Sequence, residues 1–230
     1  MKHLWHLEGE DFFRPLAPEL KVAFEEVSTS HQYKKNDTIF FEGDAGNSCF
    51  YVEKGLLRIF KVSQSGKEPS YFIRRTGELF GVAEVLESLP RKANAQALTP
   101  LILREISRSA LEKLLEEYPQ FSRRVITELG KRIRYLGDQV ESLMTCDVTV
   151  RMARLLFYLA QDEIADESDL DRKITIPISL TQHQLAAMTG SCQQTVSDVL
   201  GRFQKQGLLR LSRKRIELLD LRALSTLSES

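Results

Sequence analysis

Between Phe80 and Ala95 the chain reads FGVAEVLESLPRKANA. Arg91 is the side chain there with chemistry to offer, because its planar fork of N–H donors matches a carboxylate or a phosphate. Successive residues of a strand point to opposite faces, so Arg91 is expected inward and Lys92 in solvent. A bridge from Arg91 to a carboxylate of its own chain, such as Glu78, is the plainer alternative. A second chemistry lies near the C-terminus. From Arg172 to Arg215 there are eight basic side chains (Arg172, Lys173, Arg202, Lys205, Arg210, Arg213, Lys214 and Arg215) against one acid, Asp198. Such residues bind phosphates with salt-sensitive affinity, and amide or carboxylate side chains beside them read base edges. Gln193 or Gln194 can pair with adenine and Asp198 with cytosine, at about 1 to 3 kcal/mol of discrimination per good pair. A solvated surface for the glutamines, and a salt bridge from Asp198 to Arg202, are the alternatives.

Other chemistries lack their residues. Cys49, Cys146 and Cys192 and the histidines at 3, 6, 31 and 183 form neither a CxxC nor a zinc spacing. No nucleophile and base pairing or glycine-rich phosphate loop points to an enzyme. Basic and acidic residues balance at 32 each, so the basic C-terminal stretch is hidden in a chain of no net charge. No apolar run approaches the ~18 residues of a membrane span, and the N-terminus lacks a long apolar core, which implies a cytoplasmic protein.

The elements that must position these residues follow from periodicity. From Asp37 to Ile106, short runs rich in Val, Ile, Phe and Tyr alternate with turns at Gly43, Gly55, Gly66 and Gly77, which predicts one antiparallel β domain. Pro18 to Val27 reads as a short helix before it, and Ser107 or Ser109 as the cap of a helix after it. Ile126, Leu129, Ile133, Leu136, Val140 and Leu143 then alternate spacings of three and four, the seam of a helix that pairs with a second copy; packing on its own domain is the alternative. Asp147 breaks the repeat, so a hinge is expected at Thr145 to Asp147. The acidic loop from Asp162 to Asp171 is solvated or touches a protein partner. In TQHQLAAMTGSCQQTVSDVLGRFQKQGLLRLSRKRIELLD, Thr181 can cap a first helix, Gly190 permits a tight turn, and Val196, Val199, Leu200 and Phe203 face a core. That places Gln193, Gln194, Thr195, Ser197, Asp198 and Arg202 on the outer side of a recognition helix. GLLRLSRKRIELLD follows as a hairpin wing tipped by Arg213, Lys214 and Arg215.

This order of elements resembles the CRP/FNR family of bacterial transcription regulators. The resemblance rests on EGDAGNSCFYVEKGLLRIF, on TGELFG followed by PRKA, on CDVTVRMARLL, and on LTQHQLAAMTGSCQQTVSDVLGRFQKQGLL. It implies an α+β chain: an N-terminal effector-sensing antiparallel β-roll of the cyclic-nucleotide-binding type (1–116), a long dimerisation helix with its hinge (117–146), and a winged helix-turn-helix (147–230). It also implies a homodimer on a pseudo-palindromic duplex with half-sites ~34 Å apart, and RNA polymerase as a further partner. A ligand-sensing module acting on another protein is the competing class, against which the basic winged segment argues.

The resemblance also implies an effector site at Gly77, Glu78, Phe80, Gly81, Val82, Arg91 and Lys92, opposite Leu136 of the helix seam. Family members that bind cyclic nucleotides carry FGE, then Pro-Arg and a small or hydroxyl residue. Here Val82 stands at the glutamate that takes the ribose hydroxyl, and Lys92 follows Arg91. An unpaired buried sugar hydroxyl costs about 1 to 3 kcal/mol. Leu136 and Gly137 also replace the polar pair that holds adenine, so cAMP is disfavoured. FGV is similar to the 2-oxoglutarate-responsive branch, and a carboxylate metabolite suits an inward arginine. Haem, as in the family's CO and NO sensors, is the other route, with His3, His6 or His31 as ligands; an iron-sulfur cluster is not expected, because its N-terminal cysteines are absent. Relatives carry a Glu followed by a small residue and Arg on the recognition helix where this chain has Gln194, Ser197 and Asp198, so the family's common half-site is not expected.

Overall fold

The structure, a computed structural model, describes residues 11–64, 66, 68–160, 163–164, 167–176, 178–212 and 215–228. The chain divides into two compact units, Gly9–Ile133 and Arg134–Ser230. The boundary falls within one continuous helix. No helix among the described residues is long and apolar enough to cross a membrane.

In the first unit, α1 (Pro18–Glu26) precedes strands β1 (Ser28–Tyr33), β2 (Thr38–Phe40), β3 (Ser48–Lys54), β4 (Leu56–Phe60), β5 (Ser70–Arg75) and β6 (Leu79–Phe80). Helix α2 (Val82–Glu87), strands β7 (Asn94–Ala97) and β8 (Leu101–Ser107), and helices α3 (Arg108–Glu117) and α4 (Pro119–Thr145) follow. The strands form two antiparallel four-stranded sheets, ordered β1-β8-β3-β6 and β2-β7-β4-β5. Strand β3 is apolar on both faces because both are covered. Phe50 and Val52 enter the roll interior with Leu57, Phe80, Ala95, Ala97, Leu101 and Leu103. Cys49 and Tyr51 turn the other way, into a core that Phe12, Phe13, Phe24, Leu111 and Phe121 share. The Tyr51 hydroxyl donates to Asp11 Oδ2 at 2.7 Å, which satisfies its polar end inside this core. Ser107 caps α3, its hydroxyl accepting from the Ala110 amide at 3.3 Å.

The second unit holds the C-terminal part of α4, then α5 (Val148–Ala160), a short 3-10 helix (Glu167–Asp171), β9 (Ile174–Thr175), α6 (Gln182–Thr189), α7 (Gln193–Lys205), β10 (Leu209–Ser212), β11 (Arg215–Leu218) and α8 (Leu221–Ser228). Helix α4 stops at Thr145 and Asp147 starts the next helix, its Oδ1 accepting from the Val150 amide at 3.0 Å. That bond to a helix N-terminus holds the Asp147 carboxyl below its ordinary pKa. Thr181 and Gln184 form a reciprocal capping box at the start of α6. Gly190 ends α6 at φ 60°, and a Cβ there would stand 2.9 Å from Leu143 Cδ2, so both the turn and the close approach of α4 need glycine. Val196, Val199, Leu200 and Phe203 of α7 are each at most 1% exposed and form the core beneath it.

Candidate nucleic-acid interface and effector site

Because α7 buries that apolar stripe, its other side carries Gln193, Gln194, Asp198 and Arg202 in solvent, with Thr195 and Ser197 half-buried beside them. Gln194 Nε2 donates to Asp198 Oδ1 at 3.1 Å, one turn along the helix. Arg202 donates not to Asp198 but to the Thr149 hydroxyl of α5, at 3.0 Å. Strands β10 and β11 make the expected hairpin, with β9 adding a third strand against β11. Arg215 is exposed on it, and Arg210 is paired with Glu217 at 3.1 Å. Arg213 and Lys214 lie outside the described residues, as do Asp162 and Asp166 of the acidic loop. The described acids of that loop include Asp171, which accepts two bonds from Arg222 at 2.6 and 2.9 Å, and Asp169, which pairs with Arg172.

In the first unit Arg91 is 3% exposed. Its backbone is pinned to the Gly43–Asp44 turn by bonds of 2.9 and 2.8 Å. Its guanidinium donates to the Gly81 carbonyl at 3.2 Å and to the Ser48 carbonyl, and lies 4.3 Å from the Phe40 ring centroid. The nearest carboxylate is Glu84, at 3.9 Å, while Glu78 is engaged by Arg74 at 3.0 Å and Arg75 at 4.0 Å. Burial lowers the Arg91 pKa, and Glu84 opposes this. Arg91 Nε is buried without a hydrogen-bond partner. Lys92 is exposed.

Gly81 sits at φ 73°, and a Cβ there would come 2.7 Å from Arg91 Nη1, so glycine lets the arginine reach the Gly81 carbonyl. Phe80 stacks on Phe50 with centroids 5.2 Å apart, inside the roll. Val82, 2% exposed, packs in the other core with Phe12, Phe13 and Val85, and offers no polar atom to a sugar. Gly77 donates its amide to the Val52 carbonyl at 2.8 Å, holding the turn that carries Glu78.

Two arginines join this region that the sequence pattern did not single out. Register pairs Leu57 with Arg74 and Ile59 with Phe72, and directly opposed residues share a face, so Arg74 lies on the face of the interior residue Leu57. Arg74 Nε is likewise buried and unpaired. Arg132 of α4 donates to the Leu79 carbonyl, and burial together with Arg74 pushes its pKa down to about 10. The Cys49 thiol feels both Arg91 and Arg132, but desolvation dominates and raises it to about 12. By contrast Cys192, beside α7, is exposed, and a hydrogen bond from Thr195 draws its thiol down. Of the histidines weighed as haem ligands, His31 Nε2 is 3.0 Å from Glu105, and His3 and His6 lie outside the described residues.

On α4, Ile126 (69%), Ile133 (71%), Leu136 (43%), Val140 (56%) and Leu143 (54%) are exposed. Leu129 instead packs against the core of its own unit.

The family model for the cyclic nucleotide-binding domain matches residues 30–118, and that for the Crp-like helix-turn-helix domain matches residues 150–227. The chain belongs to the CRP/FNR family of transcription regulators. CRP/FNR relatives align along nearly their whole length. The global nitrogen regulator of Synechococcus elongatus is 29% identical over 196 residues, 84% of this chain and 87% of that protein. The CRP-like cAMP-activated global transcriptional regulator of Mycobacterium tuberculosis is 25% identical over 208 residues, 90% of this chain and 92% of that one. A solved CRP/FNR-family regulator from Thermus thermophilus superposes with a TM-score of 0.74 at 26% identity, covering 88% of this chain and 99% of that one. The fold is that of the family: antiparallel β-sheets, a long helix and a C-terminal helix-turn-helix that binds DNA. The relatives are transcription regulators rather than enzymes.

Proposed function

We propose that this CRP/FNR regulator is a cytoplasmic homodimer that binds two half-sites of a pseudo-palindromic operator and changes its affinity when a small dicarboxylate enters the β-roll. The five large apolar seam residues exposed on α4 carry the dimer reading, because a lone chain gains nothing by presenting that stripe to water. Pairing the stripe with its copy presents two α7 helices to successive major grooves. Gln193, Gln194, Thr195, Ser197 and Asp198 then face base edges, and Thr181, Arg202, Arg213, Lys214 and Arg215 supply backbone contacts.

Arg91 supports the effector reading. It is buried, its hydrogen bonds go to carbonyl and hydroxyl oxygens, Glu84 stands at ion-pair distance but beyond hydrogen-bond reach at 3.9 Å, and one donor is unpaired. A ligand carboxylate would supply the charge-assisted hydrogen bond that Arg91 does not make to Glu84 at 3.9 Å, and Arg132, hydrogen-bonded to a carbonyl rather than a carboxylate, offers positive charge to the far end of a dianion. Val82 offers no polar atom to a ribose. The ligand acts only through its preference for one of two states. Titration calorimetry with 2-oxoglutarate should give saturable heat that Arg91→Ala abolishes, and cAMP should give none. Tight cAMP binding in the roll would show the reading of Val82 to be wrong.

A further inference from the structure

Helix α5 contacts neither DNA nor effector in that reading, yet two arginines on it, one turn apart, join separate elements of the second unit. Arg151 Nη1 donates to the Cys146 carbonyl, just past the end of α4, at 2.6 Å. From the same guanidinium, Nε donates to the Thr189 carbonyl, at the end of α6, at 2.8 Å. Both acceptors belong to helix ends, where carbonyls lack intrahelical donors. Arg154 repeats the pattern, Nη1 donating to the Ser142 hydroxyl at 3.0 Å and Nε to the Ser228 carbonyl at 2.7 Å. Thr189 is 2% and Ser142 4% exposed, so these bonds are shielded from water. Leu143 closes the contact against Gly190.

We infer that Arg151 is the positioning residue that sets the angle between the end of α4 and the recognition helix, and therefore the half-site spacing the dimer accepts. The reason is the rigidity of the guanidinium. Nε and Nη1 lie in one plane at a fixed divergence, so holding both carbonyls fixes the end of α4 against the turn before α7, which begins at Gln193. A lysine has one flexible ammonium and cannot impose that geometry. Arg202, bonded to Thr149 from the last turn of α7, ties the other end of the recognition helix to α5. The inference rests on the dimeric DNA reading above and adds to it a specific determinant of spacing.

The test uses the full chain and duplexes selected from random DNA by the unaltered protein. Affinity is measured by fluorescence anisotropy for a single half-site and for paired half-sites with one or two base pairs added to or removed from the spacer. Misplacing the second site should weaken unaltered protein at least ~10-fold, because simultaneous engagement is lost. In Arg151→Ala the penalty should fall below ~3-fold while single half-site affinity stays within ~2-fold, and Arg151→Lys should not restore it. A penalty that persists in both variants overturns the inference while leaving the dimer reading intact. Unaltered protein indifferent to spacing overturns both. If Arg151→Ala loses half-site binding together with its thermal transition, Arg151→Lys decides: flattened spacing supports the inference and an unchanged penalty refutes it.

Discussion

Replacing Ile133 and Val140 together by aspartate should leave the chain monomeric and weaken binding to a paired operator by ~100-fold or more. Both side chains are more than half exposed on the unpaired helix, so the substitutions remove no core contact within a protomer. In the dimer each is buried twice, and burial of an Ile or Val side chain contributes about 1.5 to 3 kcal/mol. The aspartates add like charges facing across the seam. Once the seam opens, the second recognition helix no longer binds at the raised local concentration that linkage gives it. Sedimentation velocity reads the mass and anisotropy reads the affinity. Single half-site binding should persist, which separates loss of pairing from loss of fold. A double variant that remains dimeric at micromolar concentration would remove α4 from the interface.

Gly81→Ala should destabilise the β-roll by about 2 to 3 kcal/mol, made up of a non-glycine residue at positive φ and a buried charged hydrogen bond displaced. The added methyl would fall 2.7 Å from Arg91 Nη1, with Phe50 closing the other side at 3.7 Å. Gly66 is the internal control. It has nearly the same φ, 74°, but nothing within 4 Å of an added Cβ, so Gly66→Ala carries only the backbone cost of about 1 kcal/mol. Calorimetry of both variants isolates the displacement of Arg91 as their difference. Gly81→Ala should also lose the heat of 2-oxoglutarate binding, and Gly66→Ala should keep it. Equal destabilisation by both would mean that the arginine yields freely and is no rigid element of the site.

The elements were largely legible from periodicity, since the pattern reflects which faces must be buried. The Ser107 cap, the Thr181 cap, the Gly190 turn and the apolar stripe of α7 are local signals, and each stands where its spacing placed it. What escaped reading is non-local. SYFIRR looks like a strand ending in solvated charge, and Arg74 turns inward only through its register against Leu57. Arg132 lies within a seam helix, and its tie to the Leu79 carbonyl joins residues far apart in sequence. Nothing in the sequence announced that Arg202 would choose Thr149 over Asp198, or that Gln194 would take Asp198 instead. Strand β9 and helix α8 also went unread: one is two residues long and the other follows the wing without a break in composition.

The burial of Cys49 against the exposure of Cys192 gives the folded chain a chemical asymmetry. A thiolate is the nucleophile that attacks an alkylating reagent, so Cys192 reacts before Cys49, which is sealed between sheet and helices with its proton held tightly and waits for the roll to open. Its alkylation is therefore a clock for opening of the Gly9–Ile133 unit alone, running in the native protein without denaturant.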